Sequence, residues 1–268
     1  PQFDGEFDGL PLLAATSRYN SLQLRFEKTG GKYFSFQGSY TLSRYTDDSS
    51  AGPNDWLGYY SLGAPQAMDR LSGETGLSAN DTPNRLAGIF TVNLPVGKGL
   101  LIGSHMNRWL DAAIGGWSVS STYTIQSGQP IAIGMSLPRL ADGTQRPNVT
   151  CSNPGTGISY HSAAATGDPF FNIGCFADPG DQQLGNAPRY FSSLRLDGIH
   201  NMDAAMRKEF EIREFIKLQV RFKAFNLFNN TRFGLPNNFY GEPLFGNAKS
   251  LAPGFTPRRI QMVARIEF

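Results

Sequence analysis

Ser21-Leu-Gln-Leu-Arg-Phe-Glu27, the turn Lys28-Thr-Gly-Gly31 and Phe34-Ser-Phe-Gln-Gly-Ser-Tyr-Thr-Leu42 decide the fold. In the first run Leu22, Leu24 and Phe26 fall on one side, and Gln23, Arg25 and Glu27 on the other. In the last run Phe34, Phe36, Tyr40 and Leu42 oppose Ser35, Gln37, Ser39 and Thr41. Successive side chains of an extended chain leave opposite faces, so a period of two marks a strand. Two such runs around a glycine turn predict a hairpin with one apolar and one polar face.

The pattern recurs along the chain. Leu86, Gly88, Phe90, Val92 and Leu94 alternate with Ala87, Ile89, Thr91 and Asn93. Trp117, Val119, Tyr123 and Ile125 alternate with Ser118, Ser120, Thr122, Thr124 and Gln126. Ile216, Leu218, Val220 and Phe222 alternate with Lys217, Gln219, Arg221 and Lys223. Ile260, Met262, Ala264, Ile266 and Phe268 alternate with Gln261, Val263, Arg265 and Glu267. A weaker alternation sets Met202, Ala204 and Met206 against Asn201, Asp203 and Arg207. About seven strands are predicted, each near the length a tilted strand needs to cross a bilayer. The stretch His105 to Ile114 reads as a short helical turn within a connection.

Composition agrees. Aromatics make up 12% of the 268 residues and charged residues only 17%, with Gly 30 and Pro 17. That mix favours strands joined by turns over helices. The net charge of 24 − 22 = +2 gives no electrostatic ground for a nucleic-acid partner. No apolar run approaches a transmembrane helix, and barrel strands need none. Cys151 and Cys175 lie in a polar, Gly/Pro-rich stretch and are compatible with one disulfide in an oxidising compartment, or with two free thiols. The sequence opens at Pro1 without an export signal, so a signal and an N-terminal portion are expected upstream.

Connection lengths add a second regularity. Short turns are predicted at about 28–31 and 211–214, and an intermediate connection at 96–115. Long ones fall at 46–83, 128–198 and 229–256. Short and long alternate, as periplasmic turns and extracellular loops do in outer-membrane barrels. The expected fold is all-β: an antiparallel transmembrane β-barrel portion of about seven meandering strands with long extracellular loops, residues 1–268 forming part of one barrel domain. Arg25, Glu27, Lys217, Arg221, Lys223, Arg265 and Glu267 on the polar faces imply a wide, wet or plugged lumen. Tyr19, Tyr33, Tyr45, Trp109 and Trp117 near strand ends fit interfacial girdles.

Several blocks resemble the C-terminal barrel of TonB-dependent outer-membrane transporters, above all the Oar-like group, which often carries a carboxypeptidase-regulatory-like domain. They are Tyr19-Asn-Ser-Leu-Gln-Leu24, Gly38-Ser-Tyr-Thr-Leu-Ser-Arg44, Asp81-Thr-Pro-Asn-Arg85, Leu94-Pro-Val-Gly-Lys-Gly99, Gly115-Gly-Trp117, Ser127-Gly-Gln-Pro130, Gly185-Asn-Ala-Pro-Arg189 and Phe225-Asn-Leu-Phe-Asn229. The resemblance implies a 22-stranded barrel with an internal plug, residence in the outer membrane of a Gram-negative-type bacterium, and import of a large or scarce nutrient. It implies contact with outer-membrane lipid, a TonB-type energy-coupling protein reached through the N-terminal part, and an extracellular ligand of unknown chemistry. Ile260, Met262, Ala264, Ile266 and Phe268 resemble the terminal signal read by the barrel-assembly machinery.

Nothing in the sequence assembles a catalytic site or calls for a cofactor. His105, His161 and His200 lack metal-ligand spacing, and no Gly-x-Ser-x-Gly elbow is present. Asp47, Asp48 and Asp55 in one connection, and Asp178 and Asp181 in another, match no defined calcium loop and read as turn residues. Trp56, Tyr59, Tyr60, Tyr160, Phe170, Phe171 and Tyr240 suit either a ligand above the barrel or packing among the loops. The competing readings are a passive porin or structural barrel, a barrel enzyme, and a soluble secreted β-sandwich.

Overall fold

The computed structural model describes residues 15–49, 63–66, 71–140, 144–213 and 215–268. Seven strands form one antiparallel meander: β1 (Ser17–Lys28), β2 (Phe34–Asp47), β3 (Asn84–Asn93), β4 (Ser118–Gln126), β5 (Ile199–Arg213), β6 (Ile216–Phe225) and β7 (Arg259–Glu267). Each strand pairs with its neighbours in sequence. The weakest alternation lies in the longest strand, the 15-residue β5. Ala204 and Ala205 give that strand little hydrophobic contrast, so its pairing to β4 and β6 shows its length better than its pattern does.

The register carries one face across the whole sheet. Leu24 lies opposite Tyr40, Tyr40 opposite Leu86, and Leu86 opposite Ile125. Val119 lies opposite Met206, Met206 opposite Phe222, and Phe222 opposite Met262. A one-residue slip at any pairing would invert the face of every later strand, and none occurs between β1 and β4. Gly38 and Gly88 sit opposite each other on this face. A Cβ at Gly38 would come within 2.7 Å of the Phe36 ring, which folds into the space the glycine leaves.

Among the described residues no second layer covers this wall. Leu22, Phe26, Ile260, Met262 and Ile266 are between 50% and 75% exposed. A soluble sandwich would bury such a face against a facing sheet, and no such sheet occurs among the described residues. The opposite face presents Arg25 beside Ser39, Lys217 beside Glu267 and Lys223 beside Gln261. β1 and β7 are the edges of the sheet.

The apolar core lies instead in the three long connections, which all leave the same rim. They build a cap from short strand pairs: Pro130–Ile131 with Phe191–Arg195, Asn148–Val149 with Phe176–Ala177, and Gly134–Met135 with Phe239–Tyr240. Ile131, Ile133, Phe171, Cys175, Phe176, Phe191 and Leu194 are buried together, with Phe245 and Tyr240 packed on them. Phe171 meets Phe176 and Phe245 edge-on, at 5.6 and 5.0 Å between ring centres. Cys151 and Cys175 are joined by a disulfide with Cα atoms 5.2 Å apart. Closing that 24-residue separation removes unfolded-state freedom worth about 3.5 kcal/mol.

Among the described residues two short α-helices punctuate the connections. α1 (Arg108–Ile114) falls within the predicted helical turn, and its N-cap Asn107 accepts the Leu110 amide at 2.8 Å. α2 (Tyr160–Thr166) ends at Gly167, whose φ of 82° is the left-handed conformation glycine adopts without strain. The cap core predicts that Phe171→Ala destabilises the cap by about 3–5 kcal/mol. Hydrogen exchange should show lost protection across 128–198, with the ladder from β1 to β3 unchanged.

Candidate functional site

The cap is fastened to the wall by charged and amide side chains at the strand ends. Arg189 pairs with Asp47 at the end of β2, both fully buried. Arg195 Nη2 meets Asp81 Oδ2 at 2.7 Å, while Asp81 Oδ1 accepts the Tyr45 amide at 2.7 Å. Arg146 Nη2 reaches Glu74 Oε2 at 2.7 Å. Gln66 completes this last cluster: its Oε1 accepts the Arg146 amide at 2.7 Å and its Nε2 donates to the Gly185 carbonyl at 2.9 Å. The connection 48–83 is thereby tied to the connection 127–198. Burial pulls the Arg146 guanidinium below its ordinary pKa, and Glu74 opposes that shift.

The third connection is held by asparagines. Asn226 and Asn229 take left-handed φ values of 50° and 54°, which asparagine tolerates better than most residues. Asn226 Nδ2 donates to the carbonyls of Asn230 and Thr256 at 3.1 and 3.2 Å, and its Oδ1 accepts the Asn230 amide at 2.9 Å. Asn229 Oδ1 accepts the Arg258 amide at 3.0 Å. The block Phe225-Asn-Leu-Phe-Asn229 therefore closes the end of β6 onto the start of β7.

Between cap and wall lies a polar cleft of about 550 Å³, lined by His161, Asp197, His200, Asp203, Arg232 and Arg259 among others. Its carboxylates are engaged by backbone: Asp203 Oδ1 accepts the Asn226 amide at 2.8 Å, and Asp197 Oδ2 the Phe233 amide at 2.9 Å. His161 stands edge-on to Phe233 at 5.1 Å. The cleft offers hydrogen bonds and charge of both signs to a hydrated ligand. The fold thus brings His161 and His200 to one cleft, which their 39-residue separation in sequence did not announce, and leaves His105 elsewhere.

Other expected residues find different roles. Tyr160, Phe170, Phe171 and Tyr240 pack within the cap, with Tyr160 and Phe170 ring centres 4.0 Å apart, so the loop-packing alternative holds for them. Trp56, Tyr59, Tyr60 and Asp55 lie outside the described residues. Asp178 and Asp181 pair with Arg139, and Asp47 with Arg189, so these carboxylates are engaged by guanidinium groups. No cluster suited to a metal ion occurs among the described residues. Tyr19 and Tyr45 pair on the polar face, edge-on at 5.8 Å, and so do not belong to an outward girdle. Their position at strand ends suggested the girdle; the register, which carries odd-numbered residues of β1 and β2 to the polar side, decides against it. Ile260, Met262, Ala264 and Ile266 share the apolar face with Ala224, Phe222, Val220 and Leu218, and Phe268 follows fully exposed.

Two predictions come from the fastenings. Arg146→Met strands a buried Glu74 carboxylate and should destabilise the cap by about 3–5 kcal/mol, whereas the double variant Arg146→Met/Glu74→Leu should recover most of that loss; denaturant titration of cap hydrogen exchange reads both. Asp48 accepts the Thr16 hydroxyl at 2.7 Å and its amide at 2.9 Å, and these bonds hold its carboxyl below the ordinary 3.8. A depressed carboxylate contributes in full above its ordinary value and loses its contribution as pH falls through the lowered one. Protection of the Thr16 amide should therefore persist to pH values below about 4, and Asp48→Asn should abolish that acid step.

The family model described as outer membrane beta barrel domain matches residues 13–261. No curated protein and no solved structure matches the chain. The match takes in the first six wall strands whole and enters the seventh. This chain belongs to the outer membrane β-barrel domain family, and it lies in the outer membrane with its apolar face against lipid.

Proposed function

We propose that the chain is the C-terminal barrel portion of a TonB-dependent outer-membrane receptor of the Oar-like group, importing a large or scarce nutrient. The observation that carries this reading is the folded cap over a polar cleft at the mouth of a charged lumen face. A passive pore works best with an unobstructed mouth, whereas a receptor must first hold its ligand outside. The ordered blocks of resemblance add support, because the structure gives several of them a common role at the joints between wall and cap. On this reading the strands pairing with β1 and β7 belong to a 22-stranded barrel, and a plug and coupling box N-terminal to it meet the energy-coupling protein.

The reading gives the chain no catalytic role and no cofactor. It assigns delivery to the barrel-assembly machinery to β7 with Phe268. The second reading, a passive porin or structural barrel, is separated by conductance. Full-length protein in planar lipid bilayers should show no steady open-channel current; a stable ohmic conductance would favour the porin and sink the importer. Phe268→Ser should reduce the heat-modifiable, membrane-assembled fraction in cells, and unchanged assembly would remove the terminal residue from the signal.

A further inference from the structure

The connection 94–117 leaves the rim opposite the cap, which is the periplasmic rim in a barrel of this family. It carries α1 and exposes Leu101, Ile102, Trp109, Leu110 and Ile114 to between 44% and 84%. An aqueous turn has no need of such a patch. Its place in the fold accounts for it. β5 and β4 last pair at Arg207 and Ser118, yet β5 runs on to Arg213 against β6. In this overhang Lys208 sits opposite Val220, on the lipid-facing side.

A free ammonium there would face hydrocarbon. Instead Lys208 is buried, and its Nζ donates to the carbonyls of Asp111, at 2.9 Å, and Gly115 at the end of α1. The rings of Trp117 and Phe210 cover it at 5.9 and 5.0 Å. Trp117 Nε1 donates to the Ala113 carbonyl at 3.0 Å. Cation and indole thus cap the carbonyls of Gly115 and Ala113 at the helix C-terminus, and the ammonium shares the Asp111 carbonyl with the Gly115 amide, with the charge favourably placed against the helix dipole. Both donors come from the outer side of the wall, so α1 is clamped beside the lipid-facing surface with Trp109 pointing away from protein.

We propose that the connection 94–117 is an interfacial anchor, which seats α1 at the boundary of headgroups and acyl chains in the periplasmic leaflet. Its occupant is glycerophospholipid. The clamp places the patch in continuity with the lipid-facing wall, and tryptophan with neighbouring basic residues such as Arg108 suits that boundary. The proposal needs the outer-membrane barrel alone and is independent of transport.

The test uses full-length protein in phosphatidylethanolamine–phosphatidylglycerol vesicles, with a bimane fluorophore on Trp109→Cys. Reference positions are Ala264→Cys on the outer wall and Ala87→Cys on the lumen face. Acyl-brominated phospholipid should quench position 109 as it quenches 264, and iodide should quench it less than 87. Strong iodide quenching with no bromine effect would put the helix in water and overturn the proposal. Shielding from both quenchers, as a protein partner or a second copy produces, would overturn it too. Lys208→Met should reduce bromine quenching at 109 and leave 264 unchanged; equal quenching at 109 would remove Lys208 as the clamp.

Discussion

A bilayer offers the backbone no hydrogen-bond partner, so every amide and carbonyl of the wall has to be paired within a sheet. This requirement orders the rest of the molecule. It forces long pairings from each strand to the next across the sheet, with β1 and β2 aligned over the 12 residues of β1. It also puts both sheet edges, β1 and β7, under obligation to pair when in lipid. Once strands and register are set, side-chain direction follows without further choice: even positions of β1, β2 and β3 face lipid, and odd ones the lumen.

A wall one layer thick cannot bury a core between its own faces. Burial is displaced to the cap, where water is available and backbone need not be laddered. There Phe171, Phe176, Phe191 and Phe245 assemble with Ile131, Ile133 and Leu194. Burying aliphatic and aromatic side chains of this kind contributes about 1.5–3 kcal/mol each. The buried ion pairs then serve placement more than net stability, because the desolvation of two charges offsets much of their attraction. Arg189 with Asp47 and Arg195 with Asp81 fix where the cap sits on the strand ends. The cleft exists because this attachment leaves polar side chains of both layers facing one gap.

The wall was legible in the sequence because its periodicity is local: Leu218, Val220 and Phe222 state their face within a few residues. The meander was legible from the alternation of connection lengths, which the structure reproduces. The cap was not. Its core joins residues as far apart as Ile131 and Phe245, and short irregular segments impose no period on them. The cleft escaped for the same reason, since His161 and Arg259 meet only through the fold. The blocks Asp81-Thr-Pro-Asn-Arg85 and Gly185-Asn-Ala-Pro-Arg189 were visible as patterns, but their content as joints needed the partners Tyr45 and Asp47. Tyr19 and Tyr45 show the limit of reading by position along a strand, because face is set by phase.

The central claim is that one continuous apolar face of this sheet meets lipid while the other meets water. Single cysteines placed from Lys217 to Lys223 in the full-length protein, in vesicles, would be probed with a membrane-impermeant maleimide; Cys151 and Cys175 are bonded and do not react. The account predicts alternating labelling, with positions 217, 219, 221 and 223 reactive and 218, 220 and 222 protected. Uniform labelling along β6, or the opposite phase, would contradict it.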